Sequence, residues 1–411
     1  MTAGAPPVAV VVPVHRVERH VEACMESLAA QTVRPAEVVL VDDAGGDRSV
    51  ALAAAVLSRH GLAHRVLRHA SNRGPGAARN TGLAAVTADL VWFLDADDRA
   101  DPRFLELLRA ALLRHDAGFA ACRTRRVVPG GGGDAGVVDG SVDEPPYRAE
   151  VWTGRAFARA LLRGRVKAYP CTKLFRRAAL PADPWDTGRA YEDMAPTLRL
   201  ALSCERVALV DEPLYDYTWR PGSLAATFSP RTPPDLFAMA DDVAAVLAAH
   251  GLDRAWRTDH VGHVYREVLT PVAHLAMRAA AAPPAAGAPP ATAGGPPPGA
   301  GLADATAPAD AAAPAGGAAP AGGAAPVDVT APAGGADPVD GGSAAAAGVG
   351  TAGGAGPAGG VGPAAAIEAV RRRIRWRDLP ALLAGRRLRP VVFALLLRLS
   401  PRTYAAVLRR R

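Results

Sequence analysis

Large side chains are scarce in this chain, and the scarcity is local. Aromatic residues make up only 5% of the 411 positions. From about Ala279 to Ala366 the sequence is nearly all Ala, Gly and Pro, with blocks such as Ala313-Pro314-Ala315-Gly316-Gly317. Alanine lifts the hydrophobic share of the whole chain to 49%, yet such a stretch cannot bury enough surface to offset the entropy of ordering it. It is expected to be a disordered linker, semi-extended where proline is dense.

Cysteine is also sparse. Cys24, Cys122, Cys171 and Cys204 are far apart, with no Cys-x-x-Cys pair, which argues against a zinc site or a disulfide scaffold and for reduced thiols. No apolar run approaches the ~20 residues of a membrane-spanning helix. The Val8–Val14 run has neither a basic leader nor a small-residue cleavage site, so no signal peptide is expected and the protein is placed in the cytoplasm. Nor is the net charge of +7 spread over the chain. Thirteen Arg against Glu368 and Asp378 give residues 367–411 a net of +11, and five Asp without Lys or Arg give residues 281–366 a net of −5. The remainder, residues 1–280, is left near +1, which excludes a general nucleic-acid footprint on the globular part.

What is present is an alternation of apolar strands and amphipathic helices. Val8-Ala9-Val10-Val11-Val12 and Glu37-Val38-Val39-Leu40-Val41 read as buried parallel strands. Between them Val17, Val21, Cys24 and Leu28 recur at helical spacing. A helix over about 47–60, a strand at 65–67, a helix near 76–85 and the strand Leu90-Val91-Trp92-Phe93-Leu94 complete the pattern. This alternation predicts right-handed βαβ units and an open, mainly parallel α/β sheet. Residues 102–278 read as mixed. Asp378-Leu379-Pro380 and Ser400-Pro401 predict starts of short Arg-rich helices beyond the linker.

The acidic residues fall at strand ends. Asp42-Asp43 and Asp95-Ala96-Asp97-Asp98 both follow apolar strands, where ligands bind in open α/β sheets. Three carboxylates within four residues repel one another. A divalent cation relieves the repulsion, and oxygen-only ligands suit Mg²⁺ or Mn²⁺; such an ion can bridge the phosphates of a nucleoside diphosphate. The bland alternative is a solvated acidic turn. For Asp42-Asp43 the competing reading is a carboxylate favouring the next helix N-terminus. The turn Asn72-Arg73-Gly74-Pro75-Gly76-Ala77-Ala78-Arg79 opens a helix, and its N–H groups and Arg79 can meet a phosphate or sugar. Its spacing lacks the third glycine of a dinucleotide-binding loop. Glu192-Asp193 precedes a helical stretch, either as a dipole-complementing cap or as a general base.

In order and spacing these pieces resemble a family 2 glycosyltransferase of the GT-A fold. The segments concerned are Val11-Val12-Pro13-Val14, Ser27-Leu28-Ala29-Ala30-Gln31-Thr32, Val39-Leu40-Val41-Asp42-Asp43, Gly76-Ala77-Ala78-Arg79-Asn80-Thr81-Gly82 and Phe93-Leu94-Asp95-Ala96-Asp97-Asp98. Lys173-Leu174-Phe175-Arg176-Arg177, Tyr191-Glu192-Asp193 and Tyr215-Asp216-Tyr217 with Arg220-Pro221-Gly222-Ser223 complete the set, so the resemblance runs over about residues 8–228. It implies a GT-A catalytic domain at 1–230, followed here by a helical extension at 231–278, the linker at 279–366 and an amphipathic tail at 367–411. It implies nucleotide-sugar contacts from Pro13, His15, Asp42, Asp43, Arg79, Asp95 and Arg220, and a Mn²⁺ or Mg²⁺ held by Asp95, Asp97 and Asp98. Asp193 matches the catalytic base, with Glu192 beside it.

The implied reaction is inverting transfer of a hexosyl or N-acetylhexosaminyl group, from a UDP-sugar foremost. The acceptor would be a glycan, a polyol polymer or a lipid-linked hydroxyl of the cell envelope. Two segments depart from the family pattern: His15-Arg16 stands where Tyr-Asn is common, and Ala44-Gly45-Gly46-Asp47 where Gly-Ser-Thr-Asp is usual. The basic tail can lie on an anionic membrane at the inner face of the plasma membrane or pack on the catalytic domain; nucleic acid is not expected. The competing functions are a non-catalytic scaffold tethered by that tail, and a nucleotidyltransferase.

Overall fold

The structure, a computed structural model, describes residues 5–128, 137–142, 144–219, 228–281, 361–385 and 388–399. Arg220 and nearly all of the linker, with Ser400 and the residues after it, lie outside the described residues.

Strands and helices alternate through the first hundred residues. They are β1 (Val8–Val14), α1 (Val21–Ala29), β2 (Glu37–Asp42), α2 (Ser49–Arg59), β3 (His64–Arg68), α3 (Pro75–Ala85), β4 (Leu90–Phe93) and the two-residue β5 (Arg99–Ala100). Then come α4 (Phe104–Arg114), β6 (Phe119–Val128), β7 (Val137–Val142), β8 (Val151–Thr153), α5 (Gly154–Leu162), β9 (Lys173–Arg176), α6 (Met194–Ser203) and the long β10 (Arg206–Thr218). Helices α7 (Thr232–Ala249), α8 (Arg257–His263) and α9 (Thr270–Ala281) follow, with a π-helical turn joining the last two. Beyond the linker lie α10 (Pro363–Arg373), α11 (Leu379–Ala384) and α12 (Leu388–Leu399).

One sheet runs β3-β2-β1-β4-β9-β6-β10-β5, with β7 on β6 and β8 on β10. Strands β3, β2, β1 and β4 are parallel, and the valine-rich runs of β1 and β2 are buried on both faces because helices cover each side. Strand β9 enters antiparallel between β4 and β6, which makes the second half mixed. The chain leaves β1 toward β2 on one side and returns to β4 on the other. The loops after β1 and β4 therefore flank a topological switch point, where an open α/β sheet leaves its ligand crevice. Trp92 of β4 stacks on Phe104 of α4 and donates its indole N–H to the Cys171 carbonyl, which ties the floor of that crevice to the turn that leads into β9.

The tail packs against the globular unit. Ala366, Val370, Ile374, Leu382, Phe393, Ala394 and Leu397 join the same apolar core as α7 and α9 residues. Arg373 lies over the Phe237 ring at 4.2 Å, and Arg257 reaches Asp378 at 3.2 Å.

Candidate active site

The acidic loop after β4 is held from below. Asp98 is 2% exposed; its two carboxylate oxygens accept from the Tyr215 hydroxyl (2.9 Å) and the Thr218 amide (2.7 Å), both on β10. Burial, and then the Asp97 and Asp95 charges, push its pKa well above the ordinary carboxylate range. Asp98 thus anchors the loop, while the side chains of Asp95 and Asp97 are partly exposed. Cys24 donates its thiol to the Asp95 carbonyl at 3.4 Å. Ligand atoms of Asp95, Asp98 and Cys171 lie within 4.8 Å of one another, a group that does not include Asp97. Burial, with Asp95 and Asp98 adding to it, keeps the Cys171 thiol protonated, so it offers a hard cation little. A divalent ion with oxygen ligands fits the carboxylates of this loop: their mutual repulsion is what such an ion removes.

Arg79 on α3 links this loop to the other acidic pair. Its Nη2 meets Asp95 Oδ1 at 2.8 Å and its Nη1 meets Glu192 Oε1 at 2.6 Å, with the arginine side chain 5% exposed. Burial opposes its charge, but Asp95 and Glu192 more than restore it. The guanidinium thus joins two carboxylates of the protein through its two terminal nitrogens, and its buried Nε has no partner among the described residues. Asn80, the next residue, clamps the backbone of Trp185 through both its amide groups, at 2.8 and 3.1 Å. Together these two residues hold the loop that ends in Glu192 and Asp193.

Asp193 stands at the N-terminus of α6 without capping it through its side chain. Burial and then the neighbouring Glu192 raise its carboxyl pKa to about 7, against the opposing pull of Arg79 and Lys173. Tyr191, just before the pair, has φ 61°, a left-handed conformation that a bulky residue adopts only when its surroundings hold it there. Lys173 is a further member that sequence reasoning did not single out. It is one of two lysines in the chain. It is 1% exposed, donates to the Lys167 and Tyr169 carbonyls at 2.8 and 2.7 Å, and its pKa is pushed down to about 8 by burial. Only its long-range burial reveals it, although the Lys173–Arg177 stretch pointed to the region.

On the β1 and β2 side, Asp43 is 3% exposed and accepts from His69 Nδ1 and from the Arg73 and Gly74 amides at 2.7–2.8 Å. Its carboxylate pins the turn that opens α3. Asp42 is more exposed and accepts from the Gly45 amide (3.2 Å) and Arg68 (3.3 Å). Pro13 pairs with Val41 within the sheet. His15 Nδ1 lies 2.9 Å from the Asp43 carbonyl oxygen and its Nε2 3.0 Å from the Asn72 side-chain amide. Arg16 (φ 53°) and Ala44 (φ 55°) are both left-handed, and an open cleft of about 430 Å³ lies between residues 16–20 and 45–47. A second cleft, of about 840 Å³, is bounded by α3 and residues 183–189. Replacing Ala44 by Gly removes the strain without adding bulk, and a gain of about 0.5–1 kcal/mol in stability, read by thermal melting, is expected.

Gly76 shows how tightly α3 meets the Glu192 loop. A Cβ there would stand 1.9 Å from the Asp186 carbonyl oxygen and 3.1 Å from Glu192 Cγ. Gly76→Ala is expected to lower stability by about 1–3 kcal/mol and to displace Glu192 from Arg79. Unchanged melting and unchanged donor binding would show that the loop moves freely.

The fold and site together define an α/β domain whose strand-end carboxylates and a buried arginine converge at the sheet's switch point. Residues 9–180 match the family model "Glycosyl transferase family 2", so this segment is similar to that family. The chain is 28% identical over 233 residues to the "Uncharacterized glycosyltransferase EpsJ" of Bacillus subtilis (strain 168), covering 53% of this chain and 63% of that protein. It is 27% identical over 234 residues to "Glycosyltransferase GlyA" of Streptococcus pneumoniae serotype 4, covering 54% and 32%. The match thus spans less than two thirds of either relative. Among solved structures, S. aureus TarS 1–349 in complex with UDP-GlcNAc is 21% identical, with a TM-score of 0.48 over 66% of this chain and 81% of that one.

Proposed function

We propose that the chain is an inverting, metal-assisted glycosyltransferase. It would move a hexosyl or N-acetylhexosaminyl group from a nucleoside-diphosphate sugar to a hydroxyl of a cell-envelope glycan, polyol polymer or lipid-linked acceptor. The observation that carries this reading is the Asp95–Arg79–Glu192 bridge, which sets the carboxylates of the donor side and the base side around one buried cation.

In this reading Asp95 and Asp97 hold a Mn²⁺ or Mg²⁺, and Asp98 holds the loop against β10. When bound, the ion neutralises charge that develops on the departing diphosphate. Asp42 and His15 face the nucleoside, and Asp43 keeps the α3 turn in place for it. Asp193, with its pKa near neutrality, takes the proton of the acceptor hydroxyl as that oxygen attacks the anomeric carbon. Glu192 keeps Arg79 oriented and adds to the negative field that favours protonation of Asp193. A UDP-sugar is the first donor to test.

Release of nucleoside diphosphate from donor with Mn²⁺ is expected for the wild type, to stop with EDTA, and to fall by about 100-fold or more in Asp97→Ala and Asp193→Ala. Variants that release nucleotide like the wild type would sink this reading; release of pyrophosphate would favour a nucleotidyltransferase. A nucleotide sugar that binds the folded state is also expected to raise the melting midpoint in the presence of Mn²⁺.

A further inference from the structure

The tail is apolar on its outside as well as its inside. Among the described residues five large hydrophobic side chains are markedly exposed, and four of them lie in the tail: Trp376 (50%), Leu383 (54%), Val392 (52%) and Leu399 (70%). Helix α12 shows why this is unusual. Phe393, Ala394 and Leu397 are buried against the globular unit. At ~100° per residue, Val392, Leu395 and Leu399 stand on the opposite side of the same helix. An amphipathic surface helix would carry charge there.

We infer that this outer stripe, with Trp376 and Leu383, rests on an anionic membrane surface. The charge of the segment selects this occupant. Residues 367–411 carry thirteen Arg and two acids, and Arg372, Arg375 and Arg377 are exposed around Trp376. Arg398 lies 5.6 Å from the Trp376 ring and donates to the Arg371 and Ile374 carbonyls, so a cation sits beside Trp376 and next to Leu399 in the chain. Aliphatic side chains and a tryptophan ringed by arginine match a headgroup layer, where the ring and the arginine stems lie at the acyl boundary and the guanidinium groups at the phosphates. The twelve residues of α12 rise ~18 Å, short of the ~30 Å hydrocarbon core, and no described helix is long and apolar enough to cross a membrane. The helix therefore lies in the plane of the surface. A second copy would bring two strongly basic tails together, which their charge opposes. A nucleic acid would leave the aliphatic stripe without a role.

The test uses the full chain in cosedimentation with vesicles of phosphatidylcholine alone or with about 30% phosphatidylglycerol. Binding is expected only to the anionic vesicles, and to weaken as salt screens the charges. Val392→Ser with Leu399→Ser, and separately Trp376→Ser, are expected to lower partitioning by about tenfold with unchanged melting, since the replaced groups are exposed. Equal binding by these variants, no binding to anionic vesicles, or a lipid-free dimer that the same substitutions dissolve would overturn the inference. So would vesicle binding that duplex DNA displaces fully while the stripe variants bind like wild type. Nucleotide release measured on the same variants is expected to be unchanged. A failure here is therefore distinguishable from a failure of the catalytic reading.

Discussion

Asp193→Asn is expected to lower kcat by about 10²–10⁴, the range that a positioned general base contributes, and at the same time to raise the melting temperature at pH 8. The two effects have one cause. Burial and Glu192 hold the Asp193 pKa at about 7, far above its ordinary value of 3.8. The folded state therefore binds this proton more tightly than the unfolded chain. Stability from the group is fully present below pH ~4 and is lost as pH rises through ~7. At pH 8 the ionised carboxylate is a net cost to folding, and the neutral amide of the same shape removes it. A residue that only capped α6 would behave oppositely, since losing a cap lowers stability. Gain of stability with loss of turnover is thus the signature of a carboxylate kept for chemistry.

The pH profile of the wild type follows from the same shift. The kcat/KM of a free enzyme reports its essential base, so the rate constant is expected to fall about tenfold per unit below pH ~7 and to level above it. In Asp193→Glu the longer side chain should keep a titrating limb at a different midpoint with reduced kcat. A flat wild-type profile from pH 5.5 to 8.5 would remove Asp193 from the role. Lys173 contributes to stability with the opposite slope: its folded pKa of about 8 lies below the ordinary 10.5, so the cost of burying its charge disappears as pH rises from ~8 to ~10.5.

The parallel half of the fold was legible because buried parallel strands announce themselves. Val8–Val14 and Glu37–Asp42 are valine-rich apolar runs, and the helices that follow them begin and end near the expected residues: Ser49–Arg59 against about 47–60, and Pro75–Ala85 against about 76–85. Strand β9 was not legible. Lys173-Leu174-Phe175-Arg176 is four residues long with a charge at each end, too short for periodicity to decide. Its place is set by pairing with residues of β4 and β6 that lie more than fifty positions away in sequence. The site divides along the same line. Carboxylates at strand ends are a local feature, so Asp42-Asp43 and Asp95–Asp98 stood out. What each carboxylate touches is not local: Asp98 is held from 117 and 120 residues away, and Arg79 meets Glu192 across 113. The sequence suggested Arg79 as a phosphate contact, whereas in the structure its guanidinium joins two carboxylates of the chain itself.

Arg79→Met is expected to be the most disruptive single change near the site. It leaves Glu192, 9% exposed, and the partly buried Asp95 without their shared cation. Removing one partner of a buried pair typically costs about 3–5 kcal/mol, because an uncompensated charge stays behind. Thermal melting should fall by roughly 6–20 °C for a domain of this size. Turnover should fall with it, because the loop bearing Asp193 loses its tie to the donor side. Arg79→Lys should recover only part of either quantity: an ammonium is a point donor and cannot span both carboxylates as the planar fork does. The decisive comparison is the double variant Arg79→Met with Glu192→Gln. If the bridge is the reason for the loss, neutralising Glu192 should return ~1–3 kcal/mol of stability, a coupling that independent sites do not show. Strict additivity of the two substitutions would mean that Arg79 serves packing alone. Recovered stability without recovered turnover is the expected outcome, since the bridge then no longer orients the base although the fold around it is restored.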